Sequence, residues 1–432
     1  MSHIFKIASQ VLLLFIILGC SDSSLISKKK NPYEYDYLAV KFSKEDYWSI
    51  VDKDGNIVVK EEYSPDDQLS TISDGAYWVR SNGRFQLYNV ESPQRPINNE
   101  EFDEVTDFVC GVAAVSKNGS PIQIIDTKGV IVATLPDSVI TATRFNIYGY
   151  SIVENISSTG IVDRKGNVVL QGKLFASIFD NTILYVDPDK EGTLMTADLE
   201  GNKLGEYSMY KWSHASMLYS EGKLAVYEHQ PNSEEPNEDA PITIIDTKGQ
   251  KLFDLKKSYA KNCMGAIYFD DLITYRAKDM TYGVANNIGE DVIRPKYQEL
   301  AYIGDKEFIA KKNNKYGIID LEDNVIVPFD YDGAIWIKLG EKYLLTKDSN
   351  IYIVDTNGKK LNKNGFAILA YYVGTQVKTG KNIEKLEKNY HQKEDNEIPL
   401  QSDYDEMPLQ SDYDEILLES DYDEIPLDKA AE

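Results

Sequence analysis

Short apolar runs that end in Asp-x-x-Gly recur along this chain. Copies that keep both the Asp and the Gly end at Gly55, Gly129, Gly166, Gly201, Gly249 and Gly358. Degenerate copies occupy residues 87–92, 284–289 and 318–323, and the steps between all these ends are 37, 37, 37, 35, 48, 40, 34 and 35 residues. Such spacing predicts an array of equivalent structural units.

Each unit has the pattern of four short strands. Residues 306–311, 315–320, 324–329 and 333–338 are runs rich in Ile, Val, Phe, Tyr and Trp, separated by polar turns, and this is typical of antiparallel strands. The Asp-x-x-Gly step predicts a tight turn between two of them. Its Asp accepts a hydrogen bond from the backbone two residues on, and its Gly takes positive φ. Turns that have Asp323 or Ser92 in place of Gly are expected to be strained or built differently.

The fold class that follows is all-β, because no stretch between residues 32 and 378 keeps a helical period for three turns. A lone hairpin cannot bury its apolar face, so the antiparallel hairpins must stack against one another. We predict a β-propeller of about seven to nine blades, with an open β-solenoid as the alternative. Residues 365–373 are expected to join the first blade and close the ring.

Two segments carry a resemblance to a known family. Residues 282–297 and 316–331 both read aromatic-Gly-hydrophobic, then an acid-rich turn, then hydrophobic residues followed by Pro and Tyr. This pattern resembles the WG-containing (KWG-like) repeat of bacterial secreted proteins, with Tyr282 and Tyr316 where the family often has Trp. The resemblance implies a β-rich repeat scaffold, and it supplies no catalytic residues.

The N-terminus has the pattern of an export signal. An apolar run, residues 11–18, is too short to cross a bilayer and is followed by Gly19 and Cys20. Residues 17–20 resemble a bacterial lipobox, which implies a lipid on Cys20. We therefore predict a lipoprotein signal peptide at residues 1–19, a tether at 20–32, the repeat domain at 33–378 and a tail at 379–432. The mature protein is expected in the bacterial cell envelope, lipid-anchored to the outer membrane.

The formal charge of -24 is concentrated at the C-terminus. Residues 391–432 carry 15 acidic residues against Lys393 and Lys429, so this stretch contributes 2 - 15 = -13. Ser-Asp-Tyr-Asp-Glu occurs there at 402–406, 411–415 and 420–424, and the composition predicts disorder. Nucleic acid is excluded as a partner, since phosphate binding needs clustered Lys and Arg.

Residues with catalytic or metal-binding patterns are few. Asp187, Asp189, Glu191 and Asp198 have the spacing of a calcium loop with oxygen ligands. Pro188 and the short Asp198 favour the other interpretation, a plain acidic hairpin tip. No other cofactor is expected. Adjacent carboxylates such as Asp270-Asp271 carry little information in a chain this acidic.

The function that these patterns favour is a membrane-anchored, extracytoplasmic scaffold without enzymatic activity, which binds a protein or a glycan. The alternative is a glycan-active enzyme that uses carboxylates on a propeller scaffold. Convergence of three or more carboxylates in one deep pocket, with shifted pKa values, would favour the enzyme.

Overall fold

The computed structural model describes residues 35–179, 181–190, 192–209, 211–214, 222–228, 242–254, 268–277, 279–370 and 374–383. All of them belong to one compact unit, Met1–Glu387, and the second unit, Lys388–Glu432, lies outside the described residues. The predicted signal peptide, Cys20, the tether and nearly all of the acidic tail also lie outside them.

The described residues form antiparallel sheets that follow one another along the chain as nine blades. Blades 1 to 4 contain β1 (Tyr37–Lys41), β2 (Trp48–Asp52), β3 (Ile57–Tyr63); β4 (Gln68–Leu69), β5 (Ala76–Ser81), β6 (Arg84–Asn89); β7 (Glu104–Val105), β8 (Val112–Ser116), β9 (Gln123–Asp126), β10 (Ile131–Thr134); β11 (Val139–Thr143), β12 (Tyr150–Asn155), β13 (Thr159–Asp163) and β14 (Val168–Lys173).

Blades 5 to 9 continue the series. They contain β15 (Phe175–Phe179), β16 (Thr182–Val186), β17 (Thr193–Ala197), β18 (Lys203–Ser208); β19 (Trp212–His214), β20 (Lys223–Glu228), β21 (Thr243–Asp246), β22 (Lys251–Asp254); β23 (Tyr268–Phe269), β24 (Leu272–Arg276), β25 (Tyr282–Asn286), β26 (Asp291–Tyr297); β27 (Glu299–Tyr302), β28 (Glu307–Lys312), β29 (Lys315–Asp320), β30 (Val325–Tyr331); β31 (Gly333–Lys338), β32 (Tyr343–Lys347) and β33 (Asn350–Val354). Two strands remain, β34 (Ile368–Leu369) and β35 (Gln376–Lys378).

The hydrophobic core lies between the blades. Each apolar cluster joins two consecutive blades; one, for example, combines Val284 and Ile293 of blade 7 with Phe308 of blade 8. The same arrangement connects the last blade to the first, because Leu344 and Ile353 of blade 9 pack with Val40 and Val51 of blade 1. The array is therefore a closed nine-bladed β-propeller, as predicted, and not an open solenoid.

The ring closes with a strand from the C-terminal side. β34 pairs antiparallel with β1 and supplies the inner strand of blade 1, with Leu369 opposite Val40. The remaining strands of that blade come from the N-terminal side. Of the predicted segment 365–373, Ile368–Leu369 join the first blade as expected, and residues 371–373 lie outside the described residues. Because this pairing connects residues more than 300 positions apart, it holds the two ends of the propeller together.

The Asp-x-x-Gly turns join the third and fourth strands of the four-stranded blades, and in blade 9 the turn follows the third strand, β33. In the six complete copies the Asp Oδ1 accepts backbone N–H groups from the residues two and four positions on, at 2.8 to 3.1 Å. The Gly has positive φ, for example +80° at Gly55. Asp323, which stands in place of Gly in blade 8, also takes a positive φ of 68°. This is the left-handed conformation that Asp adopts more readily than most residues.

A β-bulge explains the Gly of the family-like repeats. In blade 8, Tyr316 pairs with Tyr331 and Ile318 with Val327, so the outer strand has extra residues opposite Gly317. A Cβ on Gly317 would lie 2.6 Å from the Val327 carbonyl oxygen. Pro328 lies inside the bulge, where no ladder N–H is required. In blade 8 the close approach of this carbonyl therefore explains the glycine at position 317.

Blade 2 departs from the repeat in its turn. That degenerate turn runs from Asn89 to Ser92, and among the described residues the sheet has three strands, as does that of blade 9. A loop covers the outer edge of β6 instead of a fourth strand: the Ile97 N–H donates to the Leu87 carbonyl, and Phe102 pairs with Phe85. In blade 2, the turn that lacks Gly is therefore built differently, as the sequence predicted.

Candidate functional site

The propeller has two faces that can be defined by their turns. The Asp-turn face carries the Asp-x-x-Gly turns between third and fourth strands. The opposite face carries the turns between second and third strands, such as Asn313-Asn314 in blade 8. Tyr37 pairs with Asp52, so the described chain starts at the Asp-turn face, between blades 9 and 1.

A segment of the chain itself lines the central channel. β35 pairs antiparallel with β11, the inner strand of blade 4, so that Gln376 lies opposite Thr143 and Lys378 opposite Thr141. Val377 is fully buried in the core between blades 3 and 4. Because a propeller's inner strands face its axis, this segment occupies the channel wall at blades 3 and 4.

Both ends of the channel segment are fixed to blade 3. The Asp107 N–H donates to the Gly374 carbonyl at 3.4 Å, and the Gly119 N–H donates to the Gly380 carbonyl at 2.6 Å. A Cβ on Gly374 would collide with the backbone of Val105, and a Cβ on Gly380 would collide with the backbone of Lys117. Gly374 lies toward the Asp-turn face and Gly380 beside the opposite turn, Lys117 to Ser120. The chain therefore passes through the ring from one face to the other.

A buried ion pair lies beside the entry of this segment. The Arg144 guanidinium and the Asp107 carboxylate are 4.0 Å apart, and both side chains are almost fully buried. Thr71 donates to Asp107 Oδ1 at 3.0 Å, and the Arg144 N–H donates to the Thr375 carbonyl at 2.7 Å. No pattern in the sequence singled out these residues. Their pairing fixes the inner ends of blades 2, 3 and 4 around the channel segment, and it leaves the carboxylate bound to a cation.

The carboxylates of the Asp-turn face serve the backbone. Burial alone would raise the pKa of Asp52, but hydrogen bonds from Asn56 and the backbone of Asp54 outweigh it and hold the pKa below its ordinary value. The pKa of Asp198 is lowered by the same balance, with Asn202 and Glu200 as donors. General acids at neutral pH need a raised pKa. These side chains stabilise turns in their ionised form.

The described residues of the calcium hypothesis, Asp187, Asp189 and Asp198, do not lie together. Asp187 and Asp189 lie in the turn before β17, whereas Asp198 follows that strand, so roughly 15 Å of extended chain separates them. Asp187 Oδ2 accepts a hydrogen bond from Lys173 Nζ at 2.8 Å, and Asp198 caps its own turn. Glu191 lies outside the described residues. In the part of the chain that is described, no group of three or more His, Cys, Asp or Glu side chains is placed to hold a metal ion.

Aromatic hydroxyls connect neighbouring blades. Tyr297 of blade 7 donates to Asp323 Oδ1 of blade 8 at 2.6 Å, and Tyr302 of blade 8 donates to Asp270 of blade 7. The pKa of each phenol is raised above its ordinary value. Burial is the largest cause, and the hydrogen bond to the carboxylate is the second. Asp270, one of the adjacent carboxylates noted in the sequence, therefore has a structural partner.

The tryptophans are mostly structural. Trp48, Trp78 and Trp212 are buried. The indole N–H of Trp78 donates to the Thr106 carbonyl at 2.9 Å. Trp336 differs, since it lies on β31, the inner strand of blade 9, and is 37 % exposed. A register irregularity in β31 between Ile335 and Lys338 turns the strand at this point. Trp336 is thus the exposed tryptophan among the residues described, and it lies on an inner strand.

The lipidation residue Cys20 lies outside the described residues, so its role stays a prediction. In the described part of the chain there is no helix with the length and apolar character that crossing a bilayer would demand.

Comparison of the sequence with known families and proteins gives one match. The family model described as "WG containing repeat" matches residues 101–120. This stretch covers β7, β8 and the turn between them in blade 3, and it differs from the two segments that carry the resemblance noted above. No curated protein matches the sequence of this chain.

Solved structures with similar folds are β-rich rings of low sequence identity. A crystal structure described as the eukaryotic initiation factor is 12 % identical, covers 79 % of this chain and 99 % of that chain, and has a TM-score of 0.50. The computationally designed Ika8 protein is 15 % identical, with coverage of 68 % and 95 % and a TM-score of 0.37. BamB from Moraxella catarrhalis is 14 % identical, with coverage of 67 % and 91 % and a TM-score of 0.32. At 12 % identity, the similarity to the initiation factor structure indicates a similar fold and nothing more.

Proposed function

Because the chain carries a WG containing repeat on a nine-bladed β-propeller, we propose that it is a membrane-anchored, extracytoplasmic binding scaffold without enzymatic activity. Its ligand is a protein or a glycan, and a lipid on Cys20 holds it to the outer membrane of a bacterial cell envelope. The rigid ring presents turns on two faces, and propellers use such turns to bind partners.

The use of the carboxylates is the observation that carries this proposal. Acid-base chemistry on a glycan needs two carboxyl groups on either side of the scissile bond, one of them with a raised pKa. Here the buried carboxylate beside the channel, Asp107, is paired with Arg144. The turn carboxylates Asp52 and Asp198 have lowered pKa values. These groups stabilise the ring, which supports binding rather than catalysis.

Lipid attachment is tested by metabolic labelling with an alkyne fatty acid in a bacterial host, with Cys20→Ser as the matched variant. We expect label and membrane fractionation for the native chain and loss of both for Cys20→Ser. Equal labelling of the two chains, or a native chain that fractionates without membranes, would contradict the anchor.

Binding is tested by chemical cross-linking in intact envelopes, followed by purification of the anchored protein and identification of what is bound. We expect a reproducible protein or glycan adduct that the Cys20→Ser variant captures less often. Purified protein is then incubated with envelope polysaccharides. Release of shorter glycans at a rate that scales with protein concentration would replace the scaffold by the enzymatic alternative.

A further inference from the structure

The Asp-turn face carries a patch that combines exposed apolar side chains with cations. We define the basic-apolar patch as Lys128, Val130, Ile131, Val132, Lys165 and Val168. The four aliphatic residues are 58, 54, 42 and 53 % exposed, and both lysines are exposed. Monomeric proteins rarely leave several adjacent large aliphatic side chains uncovered, so such a patch marks a contact surface.

The patch is continuous across two blades. Lys128 and Val130 belong to the turn and outer strand of blade 3, and Lys165 and Val168 belong to those of blade 4. The turn of blade 4 touches the outer strand of blade 3, because a Cβ on Gly166 would lie 2.5 Å from the Cβ of Ala133 in that strand. Absence of a side chain at Gly166 lets the apolar residues of one blade meet the cation-bearing turn of the next.

The two turns of the patch hold more cations than carboxylates, because Lys128, Arg164 and Lys165 outnumber the ionised Asp126 and Asp163. Asp126 and Asp163 direct Oδ1 onto the backbone N–H groups of their own turns at 2.8 to 2.9 Å. Lys128 and Lys165, at the tips of the same turns, are exposed. Aliphatic side chains bordered by ammonium groups are complementary to a bilayer surface with anionic headgroups.

The start of the described chain lies on the same face. Tyr35 is buried between blades 9 and 1, and Tyr37 pairs with Asp52 in an Asp-x-x-Gly turn. Residues 21–34, which precede it, span at most about 50 Å when extended. If Cys20 carries the lipid of the proposed function, this short connection holds the Asp-turn face nearer the membrane than the opposite face.

We propose that the basic-apolar patch lies on an anionic lipid surface, so that the Asp-turn face contacts the membrane and the opposite face is turned away from it. The proposal rests on the anchored state described under the proposed function, but the patch is expected to bind lipid without the anchor. The second contact would fix the orientation of the ring, which a flexible tether alone leaves free.

The test uses the mature chain, residues 20–432, with Cys20→Ser. This chain keeps every strand, because all of them lie between Tyr37 and Lys378. The measurement is flotation with vesicles of phosphatidylethanolamine and phosphatidylglycerol at about 7:3, compared with phosphatidylcholine vesicles. We expect binding to the anionic vesicles that falls at high salt, and Lys128→Glu with Lys165→Glu should lower the partition coefficient tenfold or more.

Matched variants on the opposite face serve as controls. Lys44→Glu with Lys312→Glu makes the same charge change at two exposed lysines. Val130→Asp with Ile131→Asp is matched by Tyr47→Asp with Met280→Asp, since Tyr47 and Met280 are 50 and 56 % exposed. We expect the patch variants to lose vesicle binding and the controls to retain it. Circular dichroism and thermal unfolding check that each variant folds.

Three outcomes would overturn the proposal. The native chain could fail to float with anionic vesicles, the patch variants could bind as well as the controls, or the chain could sediment through self-association that Val130→Asp with Ile131→Asp abolishes. None of these concerns Cys20, so the failure of this proposal and failure of the anchor are distinguishable.

Discussion

Blade 8 and blade 2 begin from the same period and end as different sheets. Blade 8 has four strands, an Asp320 turn and Gly317 opposite the bulge of its outer strand. Blade 2 has three, and Asn89 and Gln86 occupy the positions of Asp320 and Gly317. In blade 2 both the bulged outer strand and the glycine are absent, whereas in blade 8 the Val327 carbonyl of that strand lies too close to Gly317 for a side chain.

The comparison separates what the ring requires from what a single blade can omit. In both blades, side chains of the central strands fill the interfaces with the neighbouring blades. Phe308 of blade 8 and Trp78 of blade 2 are each fully buried. The outer strand is the part that varies, since it contributes mainly to the rim. The repeat therefore conserves inter-blade packing rather than strand number.

The largest expected effect tests whether the two blades are equally well packed. Phe308→Ala and Trp78→Ala each remove a fully buried aromatic side chain, and each should lower the free energy of unfolding by about 3 to 5 kcal/mol. Urea unfolding followed by circular dichroism measures both. A cost for Trp78→Ala below about 1 kcal/mol would show that blade 2 is loosely packed and that the comparison is wrong.

An intermediate effect is expected where the blades differ in their glycine. Gly317→Ala places a Cβ 2.6 Å from the Val327 carbonyl oxygen, and the clash should lower the free energy of unfolding by about 1 to 3 kcal/mol. In blade 2 the mirror change, Gln86→Gly, should cost no more than about 1 kcal/mol, through backbone entropy alone. Thermal unfolding of the pair compares them. If Gly317→Ala were harmless, the bulge would not be the reason for the glycine.

The smallest expected effect is a pH dependence of stability that comes from the turn Asp. Blade 2 lacks it, because Asn89 stands in place of the Asp. The pKa of Asp52 is lower in the fold than its ordinary 3.8, so its ionised form contributes stability above about pH 4, and this contribution is lost as the pH falls through the folded pKa. Asp52→Asn should therefore lower the melting temperature at pH 7 and make little difference at pH 3. Asn89→Ala, in blade 2, should have the same effect at both values. A difference for Asp52→Asn that grows toward pH 3 would contradict the assignment.

The sequence predicted the repeated unit well because its signals are local. Asp126 and Gly129, for example, lie within one turn, and the hydrogen bonds that they make connect residues at most four positions apart. Ring closure was also predicted, since residues 365–373 formed one more strand-like run with no partner of its own. The Asn that follows several of these glycines, such as Asn56, also bonds the Asp carboxylate, and this local signal could have been used.

The channel segment could not be predicted from the same signals. β35 is three residues long with one apolar side chain, Val377, and it pairs with β11 more than 230 positions earlier. Nothing in its own pattern specifies that partner. The flanking glycines, Gly374 and Gly380, were the available signal, because both lie where backbone approaches too closely for a side chain. Arg144 and Asp107 were missed for a related reason: a buried ion pair becomes visible only when the blades are placed.

The passage of residues 374–380 through the ring has a mechanical consequence. The described chain starts at Tyr35 on one face, and Lys381 forms an ion pair with Asp137 near the other. Tension between these two ends would act across the thickness of the propeller and along β35. The hydrogen bonds between β35 and β11 would then be sheared together instead of being separated one after another. The C-terminal end would therefore resist being pulled out more strongly than a three-residue strand paired at an exposed sheet edge.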